Sequence, residues 1–242
     1  MPRFFIQQAD PEQIVLTGED ARHIGYSLRM RPGEMLTVCS GGSDYHCEIT
    51  KITEFEIFLH PVRIVPCASE PDILVTLYQA IPKQDKLAEI IQKSVELGVF
   101  RIVPVLTSRC VSRPSQTDFE KKRQRLQKIA LSAAKQSGRG IIPQVGSLLT
   151  WKDMLRDCET QDLNLMLYEQ PGGMSFRDAL GHPESGARIS LFVGSEGGIS
   201  PEESEAAICA GFRTIWLGSR ILRCETAPTA ALSILMHLTG NM

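Results

Sequence analysis

LFVGSEGGIS, residues 191–200, and WLGSRILRCETA, residues 216–227, decide the fold of this chain. The first stretch closes an apolar run, and residues 189–193 read as a buried strand. That strand runs into a turn carrying Gly194, Gly197 and Gly198. A helix start follows: Ser200 suits the cap, Pro201 the first turn, and Glu203 completes a Ser-x-x-Glu capping box. The helix ends near Ala210, ahead of Gly211, a good left-handed stop. Residues 213–217 form a second strand that again ends in glycine, Gly218. Thr226 and Pro228 then open an Ala/Leu-rich final helix. Two strand–glycine loop–helix units thus stand side by side, and in a parallel sheet the loops at strand carboxyl ends border the ligand crevice.

Glycine lets backbone N–H and C=O groups come close to a ligand. Phosphate is the usual occupant, but there is neither a Walker pattern nor a G-x-G-x-x-G. Glu196 lies inside the loop, where a carboxylate repels phosphate. The residues favour a ligand with positive charge and purine edges. Val193 stands where a nucleophile elbow needs glycine. Two plain turns with an incidental acid would show the same spacing.

Upstream, the pattern continues in the same style. Residues 73–81 form an apolar strand of parallel-sheet type. Residues 83–97 form an amphipathic helix with Leu87, Ile90, Ile91 and Val95 on its buried stripe. Residues 101–106 form the next strand, completing a right-handed βαβ unit. A long helix is predicted over 116–137, a short one over 151–158, and a strand over 163–168. That strand ends in a third loop, Glu169-Gln170-Pro171-Gly172-Gly173. Residues 1 to about 65 differ: strands at 3–6, 35–39, 44–50 and 56–65, a helical stretch at 19–28, and a Gly41-Gly42 turn predict a small β-barrel. PCASEP, residues 66–71, reads as a linker. The predicted domains are 1–68 and 72–242.

With 242 residues, 43% of them hydrophobic, the chain can bury a full core. No run approaches the roughly 18 apolar residues of a membrane span, and MPRFFIQQADP lacks the apolar region of a signal peptide. Seven cysteines without a C-x-x-C spacing fit reduced thiols in a cytoplasmic protein, not disulfides or structural zinc. The five histidines show no metal spacing, so no metal site is predicted. The net charge is −2, but residues 107–140 hold nine basic residues against Asp118 and Glu120. That block can neutralise several phosphates, or simply be a solvated helix face.

GSEGGIS followed by LGSRILRCETA resembles the SPOUT-type RNA methyltransferases. The likeness extends to RFF, RMRPGE, KSVELGV and AAKQSGR, and is greatest to the bacterial family that methylates N3 of a uridine in 16S ribosomal RNA. Ser195 and Ser219 stand where that family usually has proline, and Lys135 where it often has Glu. The resemblance implies an α/β fold: a trefoil-knotted methyltransferase domain with a parallel sheet, preceded by a PUA-like RNA-binding β-barrel. It implies S-adenosylmethionine as cofactor, 16S rRNA in the small ribosomal subunit as substrate, and a homodimer. Ala227, Ala230, Ala231 and Leu235 on the last helix are candidates for its interface, or plain core. Cofactor contacts fall by resemblance on Leu167, Gly194, Glu196, Gly198, Leu217, Gly218, Leu222 and Thr226. RNA contacts fall on Arg3, Arg22, Arg29, Arg31 and Arg109.

Methyl transfer from a sulfonium is an in-line displacement, so the protein chiefly aligns reactants and tunes the nucleophile. Loss of the uracil N3 proton puts negative charge on the ring oxygens, which a guanidinium stabilises. Arg223 is the leading catalytic candidate, then Arg139, with Arg220 third. Glu225 or Glu196 is available to take the proton or orient an arginine. Cys224 reads as a small filler, because N3 methylation needs no cysteine adduct. The rival readings are another SPOUT activity, on a ribose 2′-oxygen or a guanosine, and a non-catalytic ribosome-assembly factor.

Overall fold

The computed structural model describes residues 1–170 and 172–242. Pro171, in the third predicted loop, lies outside the described residues. The chain forms two units, Met1–Glu70 with Gly138–Ile141, and Pro71–Ser137 with Ile142–Met242.

The first unit is built on one sheet. Its strands are β1 (Arg3–Phe5), β2 (Ile14–Thr17), β3 (Met35–Ser40), β4 (Ser43–Ile52) and β5 (Glu56–Pro66), in the order β1-β3-β4-β5-β2. Alternation puts Leu36, Val38, Cys47, Ile49, Ile57 and Leu59 on one buried face. A short helix, α1 (Gly18–Arg22), continues into a π-helical turn over His23–Ser27 and lays Ala21 and Ile24 on the same face. Gly41 and Gly42, at φ +57° and +80°, close the β3–β4 hairpin, as a two-residue turn of that hand requires. The edge strands β1 and β2 do not pair with each other, so the predicted barrel is a curled, open half-barrel.

Two arginines stitch this unit together. Arg3 donates to both oxygens of Asp44, at 2.6 and 2.8 Å, and to the carbonyl of Arg139 at 3.3 Å. Arg139 is buried and paired with Glu70 at 2.8 Å. Glu70 Oε1 also accepts the amides of Gly140 and Ile141, at 2.7 and 3.0 Å, which ties residues 138–141 to this unit.

The second unit is an α/β sandwich. Its elements are β6 (Leu74–Ala80), α2 (Lys86–Glu96), β7 (Arg101–Leu106), α3 (Gln116–Ser137), β8 (Gln144–Val145), β9 (Leu149–Thr150), α4 (Trp151–Asp157), β10 (Leu163–Leu167), α5 (Phe176–Leu180), β11 (Arg188–Val193), α6 (Pro201–Cys209), β12 (Arg213–Ile215) and α7 (Thr226–Leu238). The sheet runs β12-β10-β11-β6-β7-β8, with β9 also on β7, and every pairing is parallel. β6 and β11 are buried along almost their whole length, as strands covered on both faces must be. Helix α2 buries Leu87, Ile90, Ile91 and Val95 as its spacing predicted, but starts at Lys86 instead of residue 83. Strand β12 stops at Ile215, two residues early, because the Trp216 amide turns to the carbonyl of Met174 at 3.2 Å. The capping box of α6 is present: Ser200 Oγ accepts the Glu203 amide at 3.2 Å, and Glu203 accepts the Ser200 amide at 3.3 Å.

Breaking a largely buried ion pair strands one charge. Asp44→Ala is therefore expected to lower the unfolding free energy by about 2–4 kcal/mol in urea titration. A change under about 0.5 kcal/mol would show that the Arg3–Asp44 pair does not hold the first unit.

Candidate active site

Parallel register brings three strand ends of the second unit together. Met166 lies beside Phe192, and Leu167 beside Ile215. The loops that leave β10, β11 and β12 therefore share one end of the sheet. They enclose a cleft of about 540 Å³, a volume suited to a nucleoside-sized ligand. Its apolar wall is Leu167, Val193, Ile199, Ile215, Leu217 and Leu222. Its polar surface is largely backbone, because the turns are glycine-rich. At Gly194 an added Cβ would sit 3.3 Å from the Ile199 side chain and 3.4 Å from the Gly198 carbonyl carbon. At Gly197 it would sit 2.8 Å from the Arg109 carbonyl oxygen. Gln79, fully buried below, donates to the carbonyls of Val193 and Gly194 at 3.4 and 3.3 Å. Ser195, in the proline position of the resembled family, has a buried hydroxyl with no partner among the described residues.

One lysine joins the two glycine loops. Lys86 Nζ is 3.2 Å from Glu196 and 3.1 Å from Glu225. Both oxygens of Glu196 also accept the Lys83 amide at 3.1 Å. Loss of solvent opposes ionisation of Glu196, but the backbone amides and Lys86 outweigh it and hold its carboxyl below the usual range. Glu225 is also held low, by the Cys224 thiol donating at 3.2 Å, by its own backbone amide and by Lys86. The two carboxylates in turn raise the Lys86 ammonium above its ordinary value. Burial, then Glu225 and Glu196, push the Cys224 thiol up to about 12. Cys224 is therefore a neutral thiol at any ordinary pH, as a filler should be.

Every residue chosen for the cofactor lines the cleft except Thr226, which is exposed at the start of α7. Arg220 and Arg223 line it as well, both exposed and without an ion pair among the described residues. Glu225 does not line it and serves Lys86 instead. Arg139 does not line it either; it belongs to the first unit, where Glu70 holds its guanidinium. Of the arginines assigned to RNA, Arg22, Arg29 and Arg31 are exposed around the π-helical turn, with Arg29 at φ +53°. Arg3 is committed to Asp44. Arg109 is exposed and donates to the Gly197 carbonyl at 3.2 Å, so it stands at the first glycine loop. Its strand-end neighbour Ser108 is anchored by Glu203, which accepts its amide and hydroxyl at 2.7 and 3.0 Å. Among the described residues no cluster of side chains is arranged to hold a metal ion, and no helix is long and apolar enough to cross a membrane. Sequence reasoning passed over Lys86, Glu169 and Trp216, which all line the cleft. Lys86 carried no signal, since nothing in the order of residues links it to loops more than a hundred positions away.

Glu196 and Glu225 have lowered native values, so their contribution to stability is complete above their unfolded value near 4.5 and disappears as pH falls through the native values. Thermal unfolding between about pH 6 and pH 3 should show this loss in the parent chain and a flatter curve in Lys86→Met; parallel curves would remove Lys86 as the link between the loops. Cys209 is exposed and Cys224 buried with a raised value. Iodoacetamide at pH 8 followed by peptide mass spectrometry should modify Cys209 and spare Cys224, and fast labelling of Cys224 would contradict the geometry.

Comparison with known proteins agrees with this architecture. A family model described as an RNA methyltransferase domain matches residues 69–236, and one described as an RNA methyltransferase PUA domain matches residues 16–60. The chain is 31% identical to ribosomal RNA small subunit methyltransferase E of Bacillus subtilis, over 99% of this chain and 97% of that one. The protein of the same name from Synechocystis is 32% identical, over 92% of this chain and 74% of that one. The crystal structure of ribosomal RNA small subunit methyltransferase E from Neisseria gonorrhoeae, bound to S-adenosyl methionine, superposes with a TM-score of 0.86 at 33% identity, covering 98% of each chain. A Legionella pneumophila protein solved with the same cofactor superposes with a TM-score of 0.83 at 30% identity, over 97% of this chain and 96% of that one. With both matched segments lying on the half-barrel and the looped parallel sheet described above, the chain belongs to the RNA methyltransferase family.

Proposed function

We propose that this chain methylates N3 of a uridine in 16S rRNA, with S-adenosylmethionine as the methyl donor. The observation that carries the reading is the convergence of three strand-end loops on one cleft, in a chain whose relatives are named for small-subunit rRNA and include a structure holding that donor. The cleft fits the donor's chemistry: glycine turns offer amides and carbonyls to adenine edges, Leu167, Leu217 and Leu222 offer apolar contact, and no phosphate-binding motif is present. When bound, the donor supplies an electrophilic methyl on a positively charged sulfur.

The rest of the task falls to the chain's own residues. Lys86 fixes the spacing of the two glycine loops and so the geometry in which the reactants meet. Arg223 stabilises negative charge on the uracil oxygens as the N3–carbon bond forms, and Arg220 assists from the same loop. Glu196 and Glu225 are occupied with Lys86, so the N3 proton passes to solvent at the open side of the cleft. The exposed basic residues of α3, with Arg109, and Arg22, Arg29 and Arg31 of the first unit meet RNA phosphates. We infer a cytoplasmic homodimer in which α7 uses exposed Ile234 and half-buried Ala230; Ala231 and Leu235 are buried within the unit itself.

A tritiated-methyl assay on 30S subunits from a strain lacking this protein, followed by nucleoside mass spectrometry, should yield 3-methyluridine. Arg223→Ala should cut the rate by about 100-fold while calorimetric donor binding persists. An unchanged rate would remove Arg223 from the chemistry. Absence of donor binding in the parent chain would leave a non-catalytic RNA-binding factor.

A further inference from the structure

Three carboxylates stand at or beside the cleft, and they differ in what they already hold. Glu196 and Glu225 share the Lys86 ammonium, and Glu196 also takes the Lys83 amide. Together Lys86, Glu196 and Glu225 keep one net negative charge, shared between two carboxylates that are both bound to Lys86. Glu169, the residue after Tyr168 on the third loop, lines the cleft and has no ion pair or hydrogen bond for its carboxylate among the described residues. That carboxylate lies against the first glycine turn. A Cβ built on Gly198 would come within 2.7 and 2.8 Å of its two oxygens. Glycine at position 198, at φ +68°, leaves the space that the acid occupies.

We propose that Glu169 is a specificity-determining residue that distinguishes the charged methyl donor from its neutral product. The proposal rests on the donor assigned above and concerns what that assignment leaves open. In the transfer, the N3–carbon bond forms as the carbon–sulfur bond breaks, and the electron pair of the broken bond stays on sulfur. The sulfonium becomes a neutral thioether, S-adenosylhomocysteine, while adenine, ribose, ammonium and carboxylate are unchanged. The two molecules differ in the methyl group and in the charge on sulfur, and a carboxylate near the sulfur reads the charge. Arg220 and Arg223, cations of the cleft without an ion pair among the described residues, disfavour a sulfonium. Lys86 is more than offset by its two carboxylates, which it holds in place. Glu169 is the carboxylate of the cleft lining with no ion pair among the described residues, and it sits at the turn where the loops from β10 and β11 meet. Its attraction is present before transfer and gone after it, which favours donor entry and product release. Because Glu169 is exposed, water and salt limit the effect to about tenfold at low ionic strength.

Calorimetry on the full chain with S-adenosylmethionine and S-adenosylhomocysteine, in about 50 mM and about 500 mM salt, tests this. Glu169→Gln should raise the donor Kd by about tenfold and the product Kd by less than about twofold. Glu169→Asp should keep most of the preference, and high salt should narrow it in the parent chain. Equal weakening of both ligands would overturn the proposal, since the acid would then be reading the ribose or ammonium common to both. Unchanged binding of both would also overturn it, and a fall in methyl transfer with both affinities intact would make Glu169 a proton acceptor instead. A parent chain that binds neither compound would sink the donor assignment itself, an outcome distinct from equal weakening in the variant.

Discussion

The parallel pairing of β10 with both β11 and β12 is the constraint on which the working end of this molecule depends. Parallel strands in one sheet end at the same edge, so the loops that follow them have no choice but to gather there. Met166 beside Phe192 and Leu167 beside Ile215 fix that edge to within a residue. Each loop is then short of side chains where it faces its neighbours. Gly194 and Gly197 stand where a Cβ would press on Ile199 or on the Arg109 backbone. The glycines therefore let the turns pack on one another as much as they open them to a ligand.

Charge in the cleft is arranged in two classes. One is internal: Lys86 with Glu196 and Glu225, a set that keeps one net negative charge and joins segments distant in the chain. The other faces outward: Glu169 on the third loop, and Arg220 and Arg223 on the second. The internal set gives the loops their spacing. The outward groups remain for a ligand, an acid for a positive centre and arginines for developing negative charge. Cys224, between these groups, is held neutral by burial and by the two carboxylates. It contributes volume and a hydrogen bond to Glu225.

The first unit divides its arginines in the same way. Arg3 and Arg139 hold strands and the 138–141 segment through Asp44 and Glu70, and their charge is spent inside the unit. Arg22, Arg29 and Arg31 project around a π-helical turn with one left-handed residue, irregular backbone of the kind often found at functional sites.

By itself the sequence determined the periodic elements: the buried stripe of α2, the full length of α3, the capping box of α6, and the glycines after β11 and β12. These are local properties, set by spacing over a few residues. Most cleft-lining positions also fall within the two contiguous loop motifs on which the resemblance rested. The sequence reading missed β2, whose four residues gain their strand geometry only by pairing with β5. It assigned Arg3 to RNA and Arg139 to chemistry, but only the fold shows which carboxylate an arginine meets. It named Glu196 for the cofactor but not Lys86, which the fold sets between Glu196 and Glu225. Partners brought together across long stretches of chain decide which charges are free, and no local pattern encodes that. Tertiary structure alone therefore decided which acid and which arginines of the cleft have no ion pair among the described residues.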